Sequence, residues 1–353
     1  MATTLQSAAS LASSPVAAEL AAILSGAAIA PLNDRAFLRI TGPDATRWLN
    51  GMVTNNIQSL QPGEDNYNFL LNAQGRIIGD CTIYREPGAS EPAFLLQTDQ
   101  SQIETIQQHL DKFIIMDDVE IADLSDQHSG ILIAGPHALR AVQELGGAPC
   151  SAPPPAPQLP TNLNLKQTTY RGTPVFLIQA FSPLVPRFEM WGHGKAMDQI
   201  LTELASAPKV TSEALEQLRI LSGTPRYGSD IRNTEKAHDL PQETAQTRAL
   251  HFSKGCYLGQ EIVERIHSRG NVHRTFSGFS LTGTLPEPGA VLTAEGKAVG
   301  ELTSIAAIPF VEPVQLALGY IRREALLNAQ ARKLPLEYPG GTATPIALPY
   351  RIP

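Results

Sequence analysis

The chain has 353 residues, 42% apolar and 17% charged, a composition that excludes a fibrous or intrinsically disordered protein and provides for two or three cores at that length. Its net charge of -7 excludes a polybasic coat for nucleic acid but leaves room for a local basic patch. The cysteines, Cys81, Cys150 and Cys256, are odd in number and far apart, so no disulfide framework is expected and a reducing compartment is.

The first 34 residues contain no Lys or Arg, which argues against a secretory or transit signal. Val16–Ala30 reads as an alanine-rich helix, shorter than the roughly 20 apolar residues that cross a bilayer. A cytoplasmic protein without a membrane partner is expected. R-A-F-L-R-I (35–40) reads as a strand, and T-G-P-D then turns into a helix running from Asp44 to about Met52. Tyr67–Leu71 and Arg76–Tyr84 alternate around N-A-Q-G, the pattern of a β-hairpin. A strand at 93–98, a helix at 101–113, strands at 119–124 and 130–134 and a helix at 136–145 follow.

Prolines then crowd 149–160, which prevents helix or central strand there and predicts a stiff linker. Beyond it come strands at 163–170, 174–180 and 187–191 and helices at 195–205 and 212–221. Past Arg274, short runs spaced by Gly, Pro and acidic turns suggest a small all-β unit. The expected fold class is α+β. Its parts are an N-terminal helical extension (1–33), a first α+β unit (34–148), a linker (149–162), a second α+β unit (163–273) and a C-terminal β unit with its tail (274–353).

Between Arg248 and Arg274 the bases Arg248, Lys254, Arg265, Arg269 and Arg274 outnumber Glu261 and Glu264, a local excess of +3 in an acidic chain. This is the candidate anion-binding surface. Cys256 lies inside it, two residues from Lys254 and just before G-Q-E-I-V-E-R-I-H, which has a helical apolar face. A nearby cation and a helix start both favour a thiolate. Gly255 and Gly259 allow close approach or unusual φ. Cys256 is therefore either an accessible, reactive or metal-ligating sulfur or a small buried filler. One cysteine cannot supply the four protein ligands of an ordinary iron-sulfur cluster, so a cluster would need ligands from a partner.

K-G-C-Y-L-G-Q-E (254–261), followed by R-G-N-V-H-R (269–274), resembles the signature of the YgfZ family of folate-binding proteins that support iron-sulfur enzymes, related to the aminomethyltransferase of the glycine cleavage system. Segments similar to that family recur in order at 40–55, 72–80 (N-A-Q-G-R-I-I-G-D), 218–231 (L-R-I-L-S-G-T-P-R-Y-G-S-D-I), 240–243 (L-P-Q-E) and 299–304 (V-G-E-L-T-S). The resemblance covers about residues 34–330 and implies an aminomethyltransferase-like arrangement around a central cavity with a small C-terminal barrel.

The resemblance also implies site residues. Asp80 takes the place of the aspartate near the reactive folate nitrogens, where a carboxylate can stabilise an iminium or guide a proton. Arg219 matches an arginine that can pair with a folate carboxylate. Tyr227 and Asp230 match a Y-G-x-D motif that shapes a loop or binds. Lys254 can tune Cys256 or hold a phosphate or polyglutamate tail. Of the relatives' glycine-rich pterin segment this chain keeps only Glu189, within S-P-L-V-P-R-F-E-M-W.

The expected function is a tetrahydrofolate-binding accessory factor for assembly or repair of iron-sulfur proteins, including enzymes that modify tRNA. Cys256 would transiently ligate a cluster or exchange with a partner's thiol. The alternative is a tetrahydrofolate-dependent aminomethyl or methyl transferase with Asp80 as its key residue. The partners implied are iron-sulfur clients or assembly proteins, and stable nucleic-acid binding is not expected.

Overall fold

In the computed structural model, which describes residues 14–145, 165–170, 172–234, 238–270, 272–310, 313–332 and 334–351, the apolar runs form three antiparallel sheets, the last closed into a barrel. The proline-rich linker and Cys150 lie outside the described residues.

Ser14 caps α1 (Pro15–Ser25) by accepting the Ala17 amide at 3.1 Å, with Pro15 at the first helical position. The helix expected to reach Ala30 stops at Gly26, and the apolar run beyond it is β1 (Ala28–Leu32). Next come β2 (Arg35–Thr41), α2 (Ala45–Met52), β3 (Asp65–Leu71), β4 (Ile77–Arg85), β5 (Phe94–Asp99), α3 (Ile103–Asp111) and β6 (Glu120–Asp123). Their strands make the first sheet, ordered β3-β4-β5-β2-β6. Ile103, Ile106 and Leu110 of α3 pack into the core it shares with α2.

A second sheet, ordered β1-β7-β10-β9-β8, contains β7 (Ser129–Ala134), β8 (Leu165–Tyr170), β9 (Thr173–Ala180) and β10 (Arg187–Gly192), with α4 (Ala138–Leu145) and α5 (Gly194–Glu203) packed on it. This departs from the unit boundaries expected at 33 and 148. β1 and β7 both belong to the second sheet, and the change of sheet falls between β6 and β7. The reason is burial: G-I-L-I-A of β7 is apolar on both faces and lies between β1 and β10 as an inner strand.

After α6 (Ser212–Ser222) and α7 (Gln260–Arg269), the barrel closes in the order β11-β14-β13-β12-β15-β16. Its strands are β11 (Arg274–Gly283), β12 (Val291–Ala294), β13 (Lys297–Ile308), β14 (Val314–Arg322), β15 (Leu336–Tyr338) and β16 (Gly341–Ile346), with α8 (Arg323–Arg332) against it.

Buried charge ties α6 to the barrel. Asp230 is fully buried; its Oδ1 accepts from Thr303 Oγ1 at 2.5 Å and Ser304 Oγ at 2.7 Å, and its Oδ2 from Arg219 Nη1 at 2.7 Å and the Arg226 amide at 3.0 Å. The other Arg219 donors go to Glu216, Thr224 O and Ser304. The Y-G-S-D and V-G-E-L-T-S motifs thus meet in one polar knot. Asp230→Ala would leave the Arg219 charge and two hydroxyls short of an acceptor, so it should lower stability by about 3–5 kcal/mol in urea unfolding. A loss below about 1 kcal/mol would show that the knot is dispensable.

Candidate functional site

The β3–β4 turn docks on the cysteine loop. Asn72 Oδ1 accepts the Gln74 and Arg76 amides, and Gly75 sits at φ 71° where a Cβ would lie 2.8 Å from Ile262 Cβ. Gly259, at φ 82°, approaches Asn72 O so closely that a Cβ there would come within 2.6 Å. Gly255 has open space around it and no positive φ, so only the second glycine of K-G-C-Y-L-G is required by geometry.

Lys254 points inward. Its Nζ donates to the carbonyls of Asn50 and Val53 at 2.6 Å and of Asn55 at 2.5 Å, all three protons of an ammonium. Burial pushes its pKa down to about 7, while the three carbonyls bind the charged form. No donor is left for a phosphate or polyglutamate tail, or for a direct hydrogen bond to a thiolate, which corrects the ligand-holding role expected of Lys254. The helix start is corrected too: α7 begins at Gln260, four residues past Cys256, whereas dipole effects fade within the first turn. What Lys254 does is hold the loop in shape. Leu258 N donates to Gly51 O at 3.0 Å, Tyr257 is buried, and Cys256 just before them is exposed. Cys81 is buried, and burial followed by the Asp80 charge pushes its thiol well up, so it is the inert cysteine.

Asp80, on β4, is fixed from three sides. Tyr67 Oη donates to Oδ2 at 2.5 Å, Gln102 Nε2 to Oδ1 at 2.8 Å, and Thr98 Oγ1 to its carbonyl at 2.8 Å. The register pairs Tyr67 with Thr82 and Phe69 with Asp80, so Tyr67 and Asp80 are diagonal neighbours. Burial, then the Asp80 charge, keep the Tyr67 phenol protonated and therefore a donor. Tyr227 joins this neighbourhood, donating to Ile78 O at 2.7 Å; burial and the Asp80 charge raise its pKa as well.

Arg248 adds what sequence reasoning counted only as charge. Its guanidinium carbon lies 4.1 Å from the Tyr67 ring centroid and 3.8 Å from that of Phe181, and among the described residues Nε alone is hydrogen-bonded, to Gln246 at 3.3 Å. Asp65, two residues before Tyr67 on β3, has a buried Oδ1 without a partner among the described residues. Burial drives its pKa up to about 8, opposed by the Arg248 charge. Hairpin register could have flagged Tyr67; nothing local marks Phe181 or Asp65.

Two expected ligand residues are committed elsewhere. Arg219 has all five donors in the Asp230 knot, leaving none for a folate carboxylate. Glu189 is buried and bridges the two sheets: Gln97 of β5 and Trp191 donate to Oε2 at 2.7 and 3.1 Å, and Arg187 to Oε1 at 2.7 Å. Burial works to raise the Glu189 pKa, but the Arg187 and Arg35 charges hold it below the usual carboxylate range. The +3 segment is likewise dispersed: Arg274 pairs with Asp239 and Glu243 at 2.7 and 2.9 Å. Side chains able to meet a folate-like ring are Asp65, Asp80, Tyr67, Tyr227, Arg248 and Phe181, which combine a buried Asp65 oxygen, without a partner among the described residues, with a guanidinium stacked between two aromatic rings. Among the described residues no three His, Cys, Asp or Glu side chains gather to hold a metal, and no helix is long and apolar enough to cross a membrane.

Residues 3–245 match the family described as GCVT N-terminal domain, and residues 273–347 the CAF17 C-terminal beta-barrel domain. An iron-sulfur cluster assembly factor IBA57 of Mus musculus is 28% identical over 294 residues, 76% of this chain and 72% of that one. The IBA57 homolog of Neurospora crassa is 27% identical over 260 residues, 70% of this chain, which spans about half (52%) of that relative's length. Among solved structures, the glycine cleavage system aminomethyltransferase T of Bartonella henselae superposes with a TM-score of 0.76 at 20% identity, covering 95% of this chain and 89% of that one. The fold is therefore aminomethyltransferase-like with a C-terminal six-stranded barrel.

Asp65 generates a pH prediction. With its pKa raised from 3.8 to about 8, the native state holds a proton that the unfolded chain releases. Stability should therefore fall as pH rises from about 4 to about 8. Asp65→Asn should flatten that part of the curve in urea melts at stepped pH. An unchanged slope would mean that Asp65 titrates normally.

Proposed function

Because the chain belongs to the GCVT family, we propose that it is a folate-binding accessory protein of the YgfZ type for the assembly or repair of iron-sulfur proteins. The observation that carries this reading is Cys256, an exposed sulfur on a loop held by Lys254, where no three His, Cys, Asp or Glu side chains gather to hold a metal among the described residues. Such a sulfur can offer one ligand to a cluster whose remaining ligands come from another protein. The names of the mouse and Neurospora relatives support the assembly role. Clients would include iron-sulfur enzymes that modify tRNA. Among the described residues two cysteines are free, one of them exposed, which accords with a reducing compartment, for which the cytoplasm is proposed. Folate would lie against Asp80, Tyr67, Tyr227, Arg248 and Phe181, where Arg248 stacks between two rings with only Nε hydrogen-bonded among the described residues and Asp65 nearby keeps a buried oxygen without a partner among them.

A second reading, a tetrahydrofolate-dependent aminomethyl or methyl transferase, is favoured by one feature: Asp80 is held in a fixed orientation by Tyr67 and Gln102, as a group steering a proton or an iminium would be. The two readings differ in which residue is indispensable.

In a host lacking its own homologue, Cys256→Ser should reduce iron-sulfur enzyme activity to the level of the deletion, while Asp80→Asn retains most of it. The reverse pattern would favour the transferase. Tetrahydrofolate at about 100 times its dissociation constant should add about 2.7 kcal/mol to stability, read as a rise in melting temperature. No rise and no heat of binding in calorimetry would remove folate from the account.

A further inference from the structure

Residues 111–120, D-K-F-I-I-M-D-D-V-E, lead from α3 to β6. Ile115 is 81% exposed and Met116 95%, with Phe113 beside them at 36%. This tip is pinned to α2. Trp48 Nε1 donates to Phe113 O at 3.0 Å, Arg47 Nη2 to Asp117 Oδ1 at 2.6 Å, and the Asp118 amide to Asp44 Oδ2 at 3.0 Å. Two adjacent apolar side chains are thus presented to solvent on a backbone already ordered, which lowers the entropic cost of binding through them.

The far end of α2 carries the cysteine loop, through Gly51 O to the Leu258 amide and Asn50 O to Lys254. Arg47 and Gly51 are four residues apart, so they share a face about one turn, ~5.4 Å, apart. A Cβ at Gly51 would meet nothing within 4 Å, so this face is open. One surface therefore runs from Ile115 and Met116 over Arg47 and Gly51 toward Cys256. The tip segment carries Asp111, Asp117, Asp118 and Glu120 against Lys112, a net of 1 - 4 = -3. Such a rim repels an anionic bilayer and complements a basic protein surface.

We propose that this face docks a protein partner that presents an apolar pocket for Ile115 and Met116 inside a basic rim, and that it delivers the partner's ligands to Cys256. The role of Cys256 rests on the function proposed above; the docking surface rests on the loop's exposure, tethering and charge.

The test uses the full chain in a host lacking its own homologue. Ile115→Ser with Met116→Ser should keep the wild-type melting temperature yet lower iron-sulfur enzyme activity about fivefold or more. Asp118→Lys should lower it as well. A photo-crosslinking residue at Met116 should capture a Lys/Arg-rich peptide of the same protein that a short bis-maleimide captures from Cys256, and one at the exposed Leu327 should not. Wild-type activity in the double serine variant overturns the docking surface, and if Cys256→Ser is then inactive, the cysteine reading survives alone. Loss in the double variant with full activity of Cys256→Ser keeps the surface and removes the delivery to Cys256. Sedimentation of wild type, but not of the double variant, with phosphatidylserine-containing vesicles would replace the protein partner by a membrane.

Discussion

One ammonium, that of Lys254, holds the candidate site in place. A buried cation without acceptors would be costly, and here three backbone carbonyls from the end of α2 and the loop after it surround it. The same loop is stitched to β3 and to the segment before the cysteine: Thr54 Oγ1 donates to Ala249 O and accepts the Phe69 amide, and Asn55 Nδ2 donates to Tyr67 O and Arg248 O. Lys254 therefore sets the position of Cys256 on one side. On the other side it sets the backbone that places Tyr67 and Arg248 beside Asp80.

Most of the remaining charge in family-like segments serves the same end. Asp230 with Arg219, and Asp239 with Arg274 and the Arg232 amide, bind the loop between α6 and α7 to the barrel. Arg232 extends the second group to Glu301 of β13 at 2.7 Å. These buried pairs leave few charges free to recognise a ligand. Arg248 is the exception near Asp80, stacked between two rings and, among the described residues, using one of its five donors.

Local pattern made the strands, the β3–β4 hairpin and α6 readable, because each is decided by alternation, helical spacing or turn chemistry within a few residues. The membership of β1 and β7 in the second sheet was not readable, since it depends on pairing with β10, more than 50 residues beyond β7. The end of α1 was missed because Gly26 reads equally as an interruption or a stop. Cys256 stands out in the sequence as a sulfur outside an apolar run, and in the fold it is exposed. Resemblance marks Lys254, Arg219 and Glu189 as ligand candidates, yet a sequence shows a charge and not the direction in which it points. Asp80 was identified by resemblance, while its supports Tyr67 and Gln102 come from separate elements brought together only by the fold.

The central claim, that Lys254 builds the platform presenting Cys256, is tested most directly by amide hydrogen exchange on Lys254→Met. With the cage gone, exchange at Leu258, His251 and Thr54 should accelerate about tenfold or more, while the β13–β14 ladder of the barrel keeps its protection. Wild-type protection at those three amides in the variant would contradict the account.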